Sequence, residues 1–259
     1  MTKLPTPERD GQAKRLNKYL AEGGCGSRRD ADTWIQRGRV RVNGALATLG
    51  TTVRPGDRVE LDGRAIEPTR LEEAVYIAYH KPVGVVCVTD LRERDNIIEA
   101  VDHPRRIFPV GRLDKASEGL IFLTSDGDIL NKILRAGNRH EKEYQVKVDR
   151  PIGPAFLHQM ATGVPILGTV TQPCRIRQDG EDKFTIILTQ GLNRQIRRMC
   201  EVLGYEVRLI RRTRIMNVWL ADLPIGRWRD LRAEELSAIR EAVAGSSKTE
   251  EASRLDDGE

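Results

Sequence analysis

The stretch Gly111-Arg112-Leu113-Asp114-Lys115-Ala116-Ser117-Glu118-Gly119-Leu120 sets an acid, Asp114, between two glycines and ahead of the apolar run Leu120-Ile121-Phe122-Leu123. Polar turn residues between apolar runs read as a loop entering a strand. Loops held by strands are where catalytic groups tend to sit. A carboxylate there is either a turn former or a nucleophile, and it is a nucleophile only while ionised. Two distant segments offer groups that could serve it. Gln190-Gly191-Leu192-Asn193-Arg194-Gln195-Ile196-Arg197-Arg198-Met199-Cys200 predicts a helix with an apolar face of Ile196, Met199 or Cys200, and Leu203, which leaves Arg194, Arg197 and Arg198 directed elsewhere. His140-Glu141-Lys142-Glu143-Tyr144-Gln145-Val146 puts a tyrosine at the start of a strand. Taken alone, the arginines read equally as a solvated helix face, and the tyrosine as a core or cross-strand residue.

Other chemistries find little support. Cys25, Cys87, Cys174 and Cys200 are scattered without a CxxC pair, and the four histidines are dispersed. That spacing suits neither a metal site nor a disulfide framework, and reads as free thiols in a reducing compartment. There is no glycine-rich phosphate loop.

The Asp114 stretch resembles the catalytic motif of RNA pseudouridine synthases. The resemblance extends through Lys81-Pro82-Val83-Gly84, the Tyr144 and Arg197 segments and Arg208-Leu209-Ile210-Arg211-Arg212-Thr213-Arg214-Ile215, across nearly all of residues 73–232. It implies that Asp114 is the essential group. The N1–C1′ bond of a uridine breaks, and the base turns and rejoins through C5, without metal, nucleotide or redox cofactor. Attack on the ribose, attack on the pyrimidine ring and base catalysis at the sugar are all compatible with an aspartate in this place. By the same resemblance Tyr144 stacks on an extruded base and assists proton removal at C5, a sensible use of an aromatic ring. Arg197 pairs with Asp114, which would favour the ionised carboxylate and fix its rotamer. Ile210 packs beneath the base, although its segment also reads as an edge strand with a charged, exposed face. Arg112 either hydrogen-bonds the motif loop or fills the place that the base leaves in its stack, and the second use fits base extrusion better.

Residues 13–62 carry a pattern of their own. Leu16, Tyr19 and Leu20 lie at helical spacing before Gly23-Gly24, and Ser27 with Asp30 three residues on predicts the N-terminus of a second helix through Trp34 and Ile35. Arg39-Val40-Arg41-Val42-Asn43-Gly44 alternates and then ends in Asn-Gly, a strong hairpin signal. Helix, helix and short strands in this order resemble the S4 RNA-binding domain. The cationic residues Arg15, Lys18, Arg28, Arg29, Arg39 and Arg41, with Ser27 and Asn43, are the expected RNA contacts. Arginines beside a helix N-terminus suit phosphates.

The chain of 259 residues carries a net charge of +5, with 39% hydrophobic and 31% charged residues, as expected of a soluble globular protein. Residues 1–60 hold 12 Lys/Arg against 7 Asp/Glu, whereas the last 14 residues hold 2 against 5, so the basic excess sits at the front. A localised basic excess is the footprint of a nucleic-acid partner. No apolar run suits a membrane helix or a signal peptide, so a cytoplasmic protein without membrane contact is expected. The expected organisation is a flexible lead-in (1–12), the S4-like domain (13–62), a linker (63–72), a catalytic domain (73–243) and a disordered acidic tail (244–259). The catalytic domain should be α+β with a mixed, mainly antiparallel sheet and helices near 126–136, 151–162, 193–203 and 233–243.

An S4 domain ahead of an Arg-Gln-Ile-Arg-Arg synthase is similar to the RsuA/RluB/RluE/RluF branch of the family. Within it, residues 135–144, 163–170 and 212–218 most resemble a large-subunit member. This implies a 23S rRNA stem-loop uridine as substrate, a tRNA anticodon uridine as a second target, and action as a monomer. The chain departs from that pattern in its short, acidic C-terminus, which leaves the RNA grip chiefly to the front domain.

Overall fold

The structure, a computed structural model, describes residues 13–67, 74–90, 92–127, 129, 133 and 140–244. The chain divides into two units, Met1–Ala74 and Val75–Glu259, each with its own apolar core.

In the first unit β1 (Lys14–Arg15) leads into α1 (Leu16–Glu22), which buries Leu16 and Leu20 and ends at Gly23. Helix α2 (Arg28–Gln36) begins with a complete capping box. The Asp30 N–H donates to the Ser27 hydroxyl, and the Ser27 N–H donates to the Asp30 carboxylate at 2.8 Å. Such a cap contributes about 1 kcal/mol. Strands β2 (Val40–Val42) and β3 (Ala45–Leu46) turn through Asn43 and Gly44, both at positive φ. Strand β4 (Thr52–Val53) pairs with β1, while β5 (Val59–Leu61) and β6 (Arg64–Ile66) complete a sheet in the order β3-β2-β5-β6. Strand β6 corrects the expected linker. Asp62-Gly63, at φ 52° and 77°, is a second tight turn, and it returns residues 64–66 along β5. The Tyr19 hydroxyl then donates to the Ile66 carbonyl at 3.1 Å. Charge and Pro68 read as a linker because a three-residue strand leaves almost no hydrophobic pattern.

The second unit is built on β7 (Tyr76–Lys81), β8 (Phe108–Val110), β9 (Glu118–Thr124) and β10 (Lys142–Val148). The small hairpin β11 (Pro165–Ile166) and β12 (Thr169–Val170) stands apart. Strands β13 (Arg175–Gly180), β14 (Lys183–Leu188), β15 (Val207–Ile215), β16 (Val218–Trp219) and β17 (Trp228–Asp230) rejoin the main sheet. Its order is β13-β14-β10-β15-β9-β7-β17, with β16 beside β15 and β8 beside β9. All its pairings are antiparallel except β9 with β15, which run parallel through Glu118↔Arg211 and Gly119↔Arg212. The expected α+β architecture with a mixed, mainly antiparallel sheet is the one observed. The reading of residues 208–215 as an edge strand is corrected, because β15 lies inside the sheet between β10 and β9. Its arginines read as exposed, but the alternation turns Arg212 inward, to 3% exposure.

Helices α3 (Ile97–Val101), α4 (Pro154–Thr162), α5 (Gln195–Val202) and α6 (Ala233–Ala244) cover the sheet. The last three match expectation. The predicted helix at 126–136 falls largely outside the described residues, as do the lead-in and residues 245–259. Helices α4 and α5 pack Phe156, Met160, Ile196 and Met199 on Val146, Phe184 and Ile210, while α6 packs Ile239 and Val243 on a second cluster with Leu120 and Phe122. A third cluster joins Ile97 and Val101 of α3 to Tyr79, Ile121 and Leu113. No helix among the described residues is long and apolar enough to cross a membrane.

Gly119 makes the parallel pairing possible. It sits at φ +117°, and a β-carbon there would overlap the backbone N and carbonyl of Arg212. Both the conformation and the close approach exclude a side chain. Gly119→Ala should therefore cost about 4 kcal/mol or more of unfolding free energy, read from denaturant titrations, because the clash is with backbone that has no rotamer to escape into.

Candidate active site

Asp114 stands on the loop between β8 and β9, about one-third exposed. The loop is tied from several directions. The Ser117 N–H donates to the Asp114 carbonyl at 2.9 Å, and the Gly84 N–H donates to the Lys115 carbonyl at 2.8 Å. The latter bond uses the Lys81-Pro82-Val83-Gly84 segment. From below, the Cys87 thiol donates to the Leu113 carbonyl at 3.3 Å and accepts from the Leu113 N–H at 3.4 Å. One sulfur thus satisfies both main-chain groups of the residue before Asp114. Burial pushes the Cys87 thiol up, and it pushes Cys174 to about 11 and Cys200 to about 12. These thiols are neutral near pH 7 and are not nucleophiles.

Arg197 reaches the loop from the first turn of α5. Its Nη2 donates to the Ala116 carbonyl at 2.8 Å and the Ser117 hydroxyl at 3.3 Å, and its Nη1 donates to the Val207 carbonyl at 3.3 Å. Nε faces Asp114 Oδ2 at 3.9 Å. Burial, then neighbouring Arg194, push the Arg197 guanidinium down, and Asp114 offsets this only in part. The expected partnership of Asp114 and Arg197 is therefore present as an ion pair. Arg197 does more than pair, since it also carries the turn that follows Asp114. Arg198 donates instead to the carbonyl and side-chain oxygen of Asn193, tying the turn before α5 to the helix.

Tyr144 on β10 lies opposite Arg212 of β15, just after a register shift between Glu143 and Tyr144. It packs against both the α4/α5 core and the cluster that includes Leu113, the residue before Asp114. Ile210, two residues along β15 from Arg212, lies opposite Val146 and is 4% exposed. Arg112 is exposed, and its carbonyl accepts from Arg212 Nη1 at 3.4 Å.

Two charged residues without a role in the sequence reading prove central. Lys81 is fully buried, donating to the Pro82 and Val85 carbonyls at 2.8 Å. Burial pushes its ammonium down, and Asp114 and Glu118 partly offset this. Arg212 is the other. Both occur beside prolines, glycines or other arginines that look like solvated surface. Along β7 the residues around Lys81 are buried on both faces, and on β15 Arg212 shares the buried side with Ile210, so only the tertiary cover reveals the two cations.

In the first unit the expected RNA contacts separate into two groups. Asn43 donates to Asp57 and accepts the Arg58 N–H, Ser27 caps α2, Arg39 pairs with Asp62, and Lys18 lies 3.7 Å from Glu22. Each of these already holds the fold together. Arg15, Arg28, Arg29 and Arg41 are exposed, Arg41 also donating to the Gly44 carbonyl.

A parallel seam in a mainly antiparallel sheet, with an aspartate loop clamped by an arginine and flanked by a tyrosine, defines a class. Residues 75–202 match the family model of RNA pseudouridylate synthases, and residues 14–59 match the S4 domain. The chain is 56% identical over 233 residues to the dual-specificity RNA pseudouridine synthase RluF of Escherichia coli (strain K12), spanning 90% of this chain and 80% of that protein. It is 33% identical to ribosomal large subunit pseudouridine synthase B of Pseudomonas aeruginosa, over 89% of this chain and 62% of the relative. A crystal structure of a pseudouridylate synthase superposes with a TM-score of 0.64 at 27% identity, covering 87% of this chain and 99% of the other. The chain belongs to the RNA pseudouridine synthases, in the RsuA/RluB/RluE/RluF branch, and is an RNA-modifying isomerase. Its likeness to RluF runs through both units.

Cys87→Val removes both sulfur contacts to Leu113 while keeping an apolar side chain of similar size. The turnover number should fall about tenfold with KM unchanged if the loop carries the reacting group, since misplacing such a group costs rate rather than binding. Steady-state pseudouridine assays on the variant check this.

Proposed function

We propose that the protein converts a specific uridine of 23S rRNA, in a stem-loop, to pseudouridine, with Asp114 acting on the nucleoside of a flipped-out base. The observation that supports this is the loop-borne Asp114 facing Arg197 at 3.9 Å. In this reading Arg197 is the counter-ion of the carboxylate, held beside it by its own bonds to the Ala116 carbonyl and the Ser117 hydroxyl. The N1–C1′ bond breaks, the freed base turns, and C5 bonds to the sugar carbon before the C5 proton leaves. Tyr144 stacks on the base and assists that proton's removal, with Ile210 supporting the base from the strand below. Arg112, exposed on the same loop, enters the space that the base leaves in the RNA stack, which offsets part of the few kcal/mol of lost stacking. No cofactor takes part. The E. coli relative's name, dual-specificity, supports a second RNA target, for which a tRNA anticodon uridine is our reading. The protein acts as a cytoplasmic monomer.

The exposed arginines of the first unit, Arg15, Arg28, Arg29 and Arg41, hold the RNA backbone. Ser27, Lys18, Arg39 and Asn43 set the shape of that surface and contribute contacts from it.

Asp114→Ala should abolish pseudouridine formation in a 23S transcript while RNA affinity stays within about threefold of wild type, because only the reacting group is removed. Unchanged modification by this variant refutes the proposal. Affinity for the same RNA should fall by about tenfold to a thousandfold between 50 and 200 mM salt, since each phosphate contact releases counterions. Filter-binding at graded salt measures the slope, and a flat response would contradict a backbone-binding surface.

A further inference from the structure

Arg212 is a costly residue for the inside of a sheet. It is 3% exposed, it lies near Lys81, a second buried cation that it pushes down, and its Nη2 bonds to no atom among the described residues. Buried polar atoms are nearly always partnered, and an exception calls for an explanation. An apolar side chain would fill β15 without these costs. What the guanidinium touches supplies the reason. Nε donates to the Leu120 carbonyl at 2.6 Å, so the side chain crosses the parallel seam to β9. Nη1 donates to the Arg112 carbonyl at 3.4 Å, two residues before Asp114. The guanidinium carbon lies 6.0 Å from the centre of the Tyr144 ring, within reach of a cation–π contact. One rigid, planar group therefore touches the loop that carries the aspartate and the ring assigned to the base.

We propose that Arg212 is a positioning residue for the isomerisation, fixing the Asp114 loop through the Arg112 carbonyl and the Tyr144 ring through its guanidinium face, so that nucleophile and base are set relative to one another by a single side chain. A lysine has the charge and donors but converges them on one atom, without the planar fork that spans the Leu120 and Arg112 carbonyls and presents a face to the ring. The role is distinct from that of Arg197, which grips the other end of the loop at Ala116 and Ser117.

The inference rests on Asp114 as the reacting group, and the test separates the two. The full chain and its Arg212→Lys and Asp114→Asn variants are compared on an RNA that the wild type modifies, by single-turnover rate, RNA affinity and amide hydrogen exchange. For Arg212→Lys the expected result is a rate about 100-fold lower, affinity within about twofold, and faster exchange confined to residues 112–117. Asp114→Asn should lose the rate and leave exchange unaltered. If Asp114→Asn stays active while Arg212→Lys shows the local exchange change, the aspartate reading fails and the loop-positioning role stands. A wild-type rate for Arg212→Lys, a loss carried by affinity, or exchange raised throughout the sheet overturns the proposal. Should Arg212→Lys not fold, Arg212→Gln replaces it, and loss of the fold in both makes Arg212 a structural residue and likewise overturns it.

Discussion

The two-residue parallel seam between β9 and β15 is the constraint on which the second unit depends. On one side of it lie β7, β8 and β17, and on the other β10, β13 and β14, each group antiparallel within itself. The seam closes only because Gly119 lacks a side chain where the Arg212 backbone passes. At this place the loop bearing Asp114 enters β9, β15 brings Arg212, and β10 brings Tyr144. Among the described residues, the sheet's one parallel pairing and the candidate site coincide, because β9 and β15 are where the two antiparallel groups pair.

The loop itself is immobilised by modest interactions in number rather than by one strong one. Cys87 holds Leu113, Gly84 holds Lys115, and Arg197 holds Ala116 and Ser117. Most of these are bonds to main-chain atoms, so they fix the path of the chain and leave the Asp114 side chain one-third exposed. A rigid backbone under an accessible carboxylate is the arrangement that preorganised catalysis needs.

Much of this was legible in the sequence, and the limits are physical. The helix pattern of Leu16, Tyr19 and Leu20, the Ser27–Asp30 cap and the Asn43-Gly44 turn are local signals, and the structure follows each. The Asp114–Arg197 pair was legible only through resemblance, because 83 residues of chain separate the partners and nothing local links them. Arg212 and Lys81 were missed because a charged residue reads as surface until its strand is known to be covered on both faces. Strand β6 was missed because its three residues are too short for periodicity. Its Asp62-Gly63 turn was the available clue. Ser27, Arg39 and Asn43, expected as RNA contacts, also make a cap and intramolecular pairs that the sequence reading did not assign to Arg39 and Asn43, as short polar groups near turns often serve the turn.

The sequence distance across the seam has a consequence for how the enzyme comes into being. The Arg197 contact to Ala116 spans 81 residues, and the Arg212 contact to Leu120 spans 92. Contacts of such separation form late, since the closure entropy of the intervening chain must be met before they return anything. On a chain emerging from the ribosome, Asp114 is synthesised well before the residues that aim it. The contacts of Arg197 and Arg212 to the Asp114 loop and β9 can be complete only after β15 has been made and placed between β10 and β9.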